Sequence, residues 1–99
     1  RFQLAGEIMK KFIATHSFVT KENQEIMAGI LETRNADTEV LIRTDRAVNK
    51  DIFYSKDTDL FYCLWEAESE ADIHQAIEES PGNGLFVTMC TEIHDHLKE

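Results

Sequence analysis

Residues 60–65, LFYCLW, are six apolar residues in succession, and Glu66 ends the run. That is far short of the roughly 20 apolar residues that cross a bilayer as a helix. The run reads as a β-strand buried on both faces. Ser69-Glu70-Ala71-Asp72 follows, an N-cap signature of the Ser-x-x-Asp type, ahead of Ile73, Ala76 and Ile77 at helical spacing. A strand covered on both sides needs two covering layers. The chain has 99 residues, enough for one domain and a modest core, so assembly enters the argument at once.

The remaining elements alternate. Residues 10–18, KKFIATHSF, have strand character. Thr20 offers an N-cap, and Ile26, Met27, Ile30 and Leu31 follow at helical spacing, which predicts a helix over 21–35 closed by Asn35-Ala36-Asp37. Residues 39–48, EVLIRTDRAV, read as a second strand that turns polar toward its end and so sits at a sheet edge. Within 49–59, Ile52-Phe53-Tyr54 extends a strand and Ser55-Lys56-Asp57-Thr58-Asp59 resembles a hairpin turn. The second helix is expected over 70–79, stopped by Ser80-Pro81-Gly82-Asn83-Gly84, and a fourth strand over 85–93 precedes a polar tail. Residues 1–8 read as the remnant of a cleavable tag, leaving 9–99 as the domain.

The order β-α-β-β-α-β predicts an α+β, ferredoxin-like fold: a four-stranded antiparallel sheet with two helices on one face, its first and third strands central. In the fourth strand, Leu85, Val87, Met89 and Ile93 form an aliphatic set expected to meet the helices. Phe86, Thr88, Cys90, Glu92 and His94 then point the other way, together with Phe12, Ala14, His16 and Phe18 of the first strand. Tyr62, Leu64 and Glu66 either join them or exchange faces with Phe61, Cys63 and Trp65. An apolar face of that size predicts a homodimer packed sheet against sheet, a dimeric α+β barrel.

Charge narrows the partners. Nineteen acidic against 10 basic residues give a net charge of −9, the wrong sign for nucleic-acid phosphates or anionic lipid. Cys63 and Cys90 lie in apolar runs without a CxxC motif, so they read as reduced thiols in a cytoplasmic protein. On strands separated by the first strand they stand about 10 Å apart, beyond the roughly 7 Å that a disulfide spans.

Phe61-Tyr62-Cys63-Leu64-Trp65-Glu66-Ala67, followed by Glu68-Ser69-Glu70 and Ile73, resembles a small bacterial family of unknown function. That family's pattern is aromatic-x-Cys-Leu-aromatic-Glu-Ala with an acidic helix start. It belongs to the dimeric α+β barrel superfamily, and some members are described as nickel-binding. The resemblance covers residues 9–93 in layout and 61–77 in motif. It implies a dimeric barrel with a ligand cleft. The longer 49–59 arm, Leu41-Ile42-Arg43-Thr44-Asp45 and the loop 80–84 depart from the family, so no metal site carries over residue by residue.

The candidate chemistry is sparse. His94 and His96 are two residues apart, and on an extended strand both imidazoles reach one metal ion; a solvated tail is the plainer reading. His16, on an apolar face, is either a packed core histidine or a ligand or acid/base in the cleft. Tyr62, Glu66 and Glu92 complete the ligand-binding set, with the two carboxylates about 10 Å apart and Lys10 or Lys11 available to neutralise them. His74 with Glu78 one turn later reads as a solvated pair. No activated nucleophile or phosphate-cradling loop is present in the sequence.

The first expectation is therefore a dimeric binding protein holding a small ligand or a divalent transition metal such as nickel in the barrel cleft. The second is a cofactor-free oxygenase or isomerase acting on a small aromatic substrate between Phe12, His16, Tyr62 and Phe86. The third is a structural or interaction dimer. One fold hosts all three.

Overall fold

The computed structural model describes residues 9–32, 43–55 and 57–96. The expectations for the tag remnant at 1–8, the end of the first helix and residues 39–42 lie outside them. Strand β1 (Lys10–Phe18) leads to helix α1 (Lys21–Glu32), then to β2 (Ala47–Tyr54) and β3 (Leu60–Ala67), helix α2 (Glu70–Glu78) and β4 (Phe86–Ile93). The sheet order is β2-β3-β1-β4 with every neighbouring pair antiparallel. This is the expected ferredoxin-like arrangement, with β1 and β3 at the centre.

Both helix starts follow from their caps, in different ways. At α1 the Thr20 hydroxyl accepts the Asn23 N–H at 3.0 Å, satisfying one of the helix's orphan donors. At α2 the Ser69 hydroxyl donates instead to the Asp72 carboxylate at 2.8 Å. Asp72 also receives Arg46 Nε at 3.0 Å, and Arg46 Nη2 reaches Glu68 Oε1 at 3.4 Å. A side chain just before β2 thereby ties down the first turn of α2. After α2, Ser80 Oγ donates to the Ile77 carbonyl at 2.7 Å and accepts the Gly82 N–H at 3.1 Å. Gly84 has φ +84°, a left-handed conformation that glycine adopts without the Cβ penalty.

The second strand does not lie where the sequence pattern places it. It occupies Ala47–Tyr54, most of it in the stretch read as an arm. A register shift between Asn49 and Asp51 explains the discrepancy. Ala47 pairs with Ala67, while Ile52 pairs with Cys63 and Tyr54 with Phe61. The bulge lets residues an odd number apart share one face, so period-two alternation fails along this strand. Asn49 Nδ2 bridges the irregularity, donating to the carbonyls of Leu64 and Asp51 at 3.2 Å each.

The two sheet faces are the reverse of the expectation. Phe12, Ala14, Phe18, Phe61, Cys63, Trp65, Ala47 and Ala67 form the buried core with Met27 of α1 and Ile73 and Ala76 of α2, and Phe86 and Cys90 pack against it. Phe12, Ala14 and Phe86 therefore lie under the helices rather than on a free face. Val87 and Met89, expected to meet the helices, are 63% and 66% exposed on the open face. The reason is packing shape. Alanines at 14, 47 and 67 make room for the helices, and the large rings of Phe12, Phe18, Phe61 and Trp65 fill the space around them. In β1 the polar members Lys11, Thr15 and Ser17 mark the open face, and β4 follows β1 through its register: His16 opposite Thr88, Ala14 opposite Cys90.

Candidate functional site

Strand β1 carries His16 into the centre of the helix-covered face, between Phe61 on β3 and Thr88 on β4. The residue is 1% exposed. Its ring stacks on Phe61 with centroids 4.4 Å apart and meets Phe86 edge-on at 4.6 Å. Nδ1 lies 2.8 Å from the Thr88 hydroxyl. Burial in this aromatic setting, assisted by His74, lowers the imidazole pKa from 6.5 to about 4. His16 is thus a neutral imidazole at physiological pH.

One nitrogen of that ring is unused. His16 Nε2 is buried without a hydrogen-bond partner, and so is Nε1 of Trp65 on β3. Buried polar atoms are paired in the large majority of cases, and each exception calls for a cause. Both rings line the same cleft between the sheet and the helices, with Met27, Ile77, Pro81 and Phe86 among its walls. The enclosed volume is about 50 Å³, room for a small polar head group or a few waters. Asn49 and Ser80 are further polar side chains at its border. No acid or thiol lines it among the described residues. A divalent ion would find one imidazole there, which does not fit the three or four donors such ions take. A larger polar groove of about 360 Å³ runs between Lys21, Gln24, Tyr54 and Asp59. It is spanned by a hydrogen bond from Gln24 Nε2 to the Thr58 carbonyl at 2.9 Å.

The other sequence-derived candidates do not converge on His16. Tyr62 pairs with Thr15 and Glu66 with Lys11, which places both on the open face. Glu92, opposite Phe12, has the helix-side parity but stands exposed at the end of β4. His94 and His96 are exposed just beyond that strand. His94 Nε2 approaches Glu92 Oε2 at 3.6 Å, while Lys11 Nζ reaches Asp95 at 3.2 Å. His74 pairs one turn backward with Glu70, 3.1 Å away, rather than forward with Glu78. Sequence reasoning missed Trp65 as a polar group because an aromatic in an apolar run reads as core. The single signal available was its indole N–H, which needs an acceptor when buried.

No protein-family model and no curated protein matches this sequence. Among solved structures, the chain is similar to MtbAldR, with a TM-score of 0.53 at 14% identity over 100% of this chain. It spans 64% of the length of that protein. At this identity the likeness establishes a shared fold. No described helix is long and apolar enough to cross a membrane.

Proposed function

We propose that this chain is a small binding module that takes a neutral, hydrogen-bond-accepting small molecule into the cleft between sheet and helices. The observation that carries the reading is the pair of buried, unpartnered ring nitrogens, His16 Nε2 and Trp65 Nε1, on two residues that line that one cleft. An indole N–H only donates, so the ligand must accept. Neutral His16 supplies no counter-charge, and an anion would lose its hydration without compensation. A carbonyl or hydroxyl on a short apolar body meets both conditions, and the one hydroxyl among the described cleft residues, Ser80, donates to the Ile77 carbonyl rather than to a base, which favours binding over covalent catalysis.

The chain has one tryptophan, so its fluorescence reports on the cleft alone. Titration with propionamide or butanone should shift Trp65 emission saturably, with propionate weaker at neutral pH. His16→Phe should weaken the response with the fold retained. Absence of a saturable response to the neutral probes overturns the reading.

A homodimer belongs to the same proposal, on the opposite face from the one read in the sequence. Val87 and Met89, with Tyr62 and Phe53, leave apolar area exposed on the side the helices do not cover. A second copy packed sheet to sheet supplies the missing layer, in keeping with the dimeric barrel family that residues 61–77 resemble. Cys63 and Cys90, neither of them in a disulfide, support a reducing, cytoplasmic setting.

A further inference from the structure

Away from the cleft, three different donor side chains meet at the first turn of α2. Glu70 and His74 are one helical turn apart, with Oε2 and Nε2 separated by 3.1 Å. Cys90 reaches them from edge strand β4, and its Sγ and the two other ligand atoms all lie within 4.8 Å of one another. No other group of three such donors occurs among the described residues. None of the three lines the His16–Trp65 cleft.

We propose that Glu70, His74 and Cys90 form a binding site for one borderline-soft divalent cation of the zinc class. A carboxylate oxygen, an imidazole nitrogen and a thiolate sulfur are the three donor types that zinc takes, at about 2.0–2.3 Å each. Tetrahedral bonds of that length hold donors roughly 3.5 Å apart, and the three ligand atoms already lie within 4.8 Å of one another. A carboxylate and a thiolate around a neutral imidazole carry two negative charges and balance the ion. On binding, the Cys90 proton leaves to solvent as the metal–sulfur bond forms. The nitrogen and sulfur donors disfavour magnesium and calcium, which select oxygen. Glu70 is exposed and His74 and Cys90 are half-buried, leaving an open fourth position for water or another ligand.

Geometry separates Cys90 from the other thiol. Cys63 is buried in the core beneath the helices, whereas Cys90 is half-buried on an edge strand.

Cobalt is the probe, because its thiolate charge-transfer and tetrahedral ligand-field bands identify the donors directly. Full-length reduced protein titrated with Co²⁺ should develop both bands to one equivalent, and Zn²⁺ should displace it. Cys90→Ser should abolish the charge-transfer band. Glu70→Gln and His74→Ala should each weaken binding by about 10–100-fold or more, the loss found when even a supporting partner of a metal ligand is removed. The double variant His94→Ala/His96→Ala should keep the bands unchanged. Zn²⁺ should also protect Cys90 from alkylation in the wild-type protein, a readout independent of how the variants fold. The proposal is overturned if no charge-transfer band forms, if the band survives Cys90→Ser, if the tail double variant removes it, or if Zn²⁺ gives no protection.

Discussion

His16 and Thr88 face each other across β1 and β4, with Nδ1 2.8 Å from the threonine hydroxyl. This bond fixes the ring between Phe61 and Phe86 and leaves its other nitrogen, Nε2, buried without a hydrogen-bond partner. Folding therefore holds a titratable group in a site that rejects its charged form.

That arrangement makes stability depend on pH. The pKa falls from 6.5 to about 4 on folding, so between these values the unfolded chain binds more protons than the native one. Stability consequently rises with pH through this window and is lost as pH falls toward 4. Integrating the linkage relation from pH 7.5 to 5 gives a contribution of about 2 kcal/mol. Denaturant unfolding of wild-type and His16→Gln, compared at both pH values, isolates it from the carboxylates. The wild-type should lose about 2 kcal/mol more than the variant; parallel losses would contradict the account.

The Arg46–Asp72 pair at 3.0 Å should stabilise the start of α2. Asp72 is buried, whereas Arg46 is largely solvated, which limits the gain. Asp72→Ala should lower the unfolding free energy by about 1–2 kcal/mol, because it also removes the Ser69 hydroxyl's acceptor. A double-mutant cycle with Arg46→Ala should show coupling between the two sites. Additive losses would mean that the ion pair contributes nothing of its own.

The fold was legible wherever hydrophobic period and caps agreed. The Thr20 and Ser69 signatures located both helix starts, and the 60–65 run located β3. The bulge at Asn49 hid β2, because it changes the parity that sequence reading relies on. The faces were misread at β4, where the more aliphatic set, Val87, Met89 and Ile93, is the one turned away from the helices: only its register against β1, with Lys11, Thr15 and Ser17 outward, decides between the two sets. The cleft needed tertiary information too. Trp65 and His16 lie on different strands, far apart in the chain. His74 was read with Glu78, whereas Glu70 at the same helical spacing on its other side is its partner, and nothing in the sequence brings Cys90 to them.

The exchange of faces yields a paired test. Phe86→Lys places a charge against His16 and Phe61 and should destabilise the fold by about 3 kcal/mol or more. Met89→Lys, on the open face, should leave monomer stability within about 0.5 kcal/mol and dissociate the proposed dimer in light scattering. A wild-type protein that stays monomeric at high concentration would exclude the dimer. A folded, stable Phe86→Lys would exclude the face assignment.

Cys63 and Cys90 both sit opposite Ala14, on the two strands flanking β1. An intervening strand holds them too far apart to bridge. Thiol titration of the denatured protein after mild oxidation should find both thiols free of any intramolecular disulfide. Its detection would contradict the strand order.

The proposed accepting ligand would take its hydrogen bond from the Trp65 indole N–H, and that group tests the proposal most directly. In a proton–nitrogen correlation spectrum of isotope-labelled protein this group gives a single indole resonance. Addition of propionamide should move that resonance downfield and saturably, as expected for a hydrogen bond formed at Nε1, and should do so less in His16→Phe. An indole resonance that stays fixed while propionamide is raised to excess would contradict the claim.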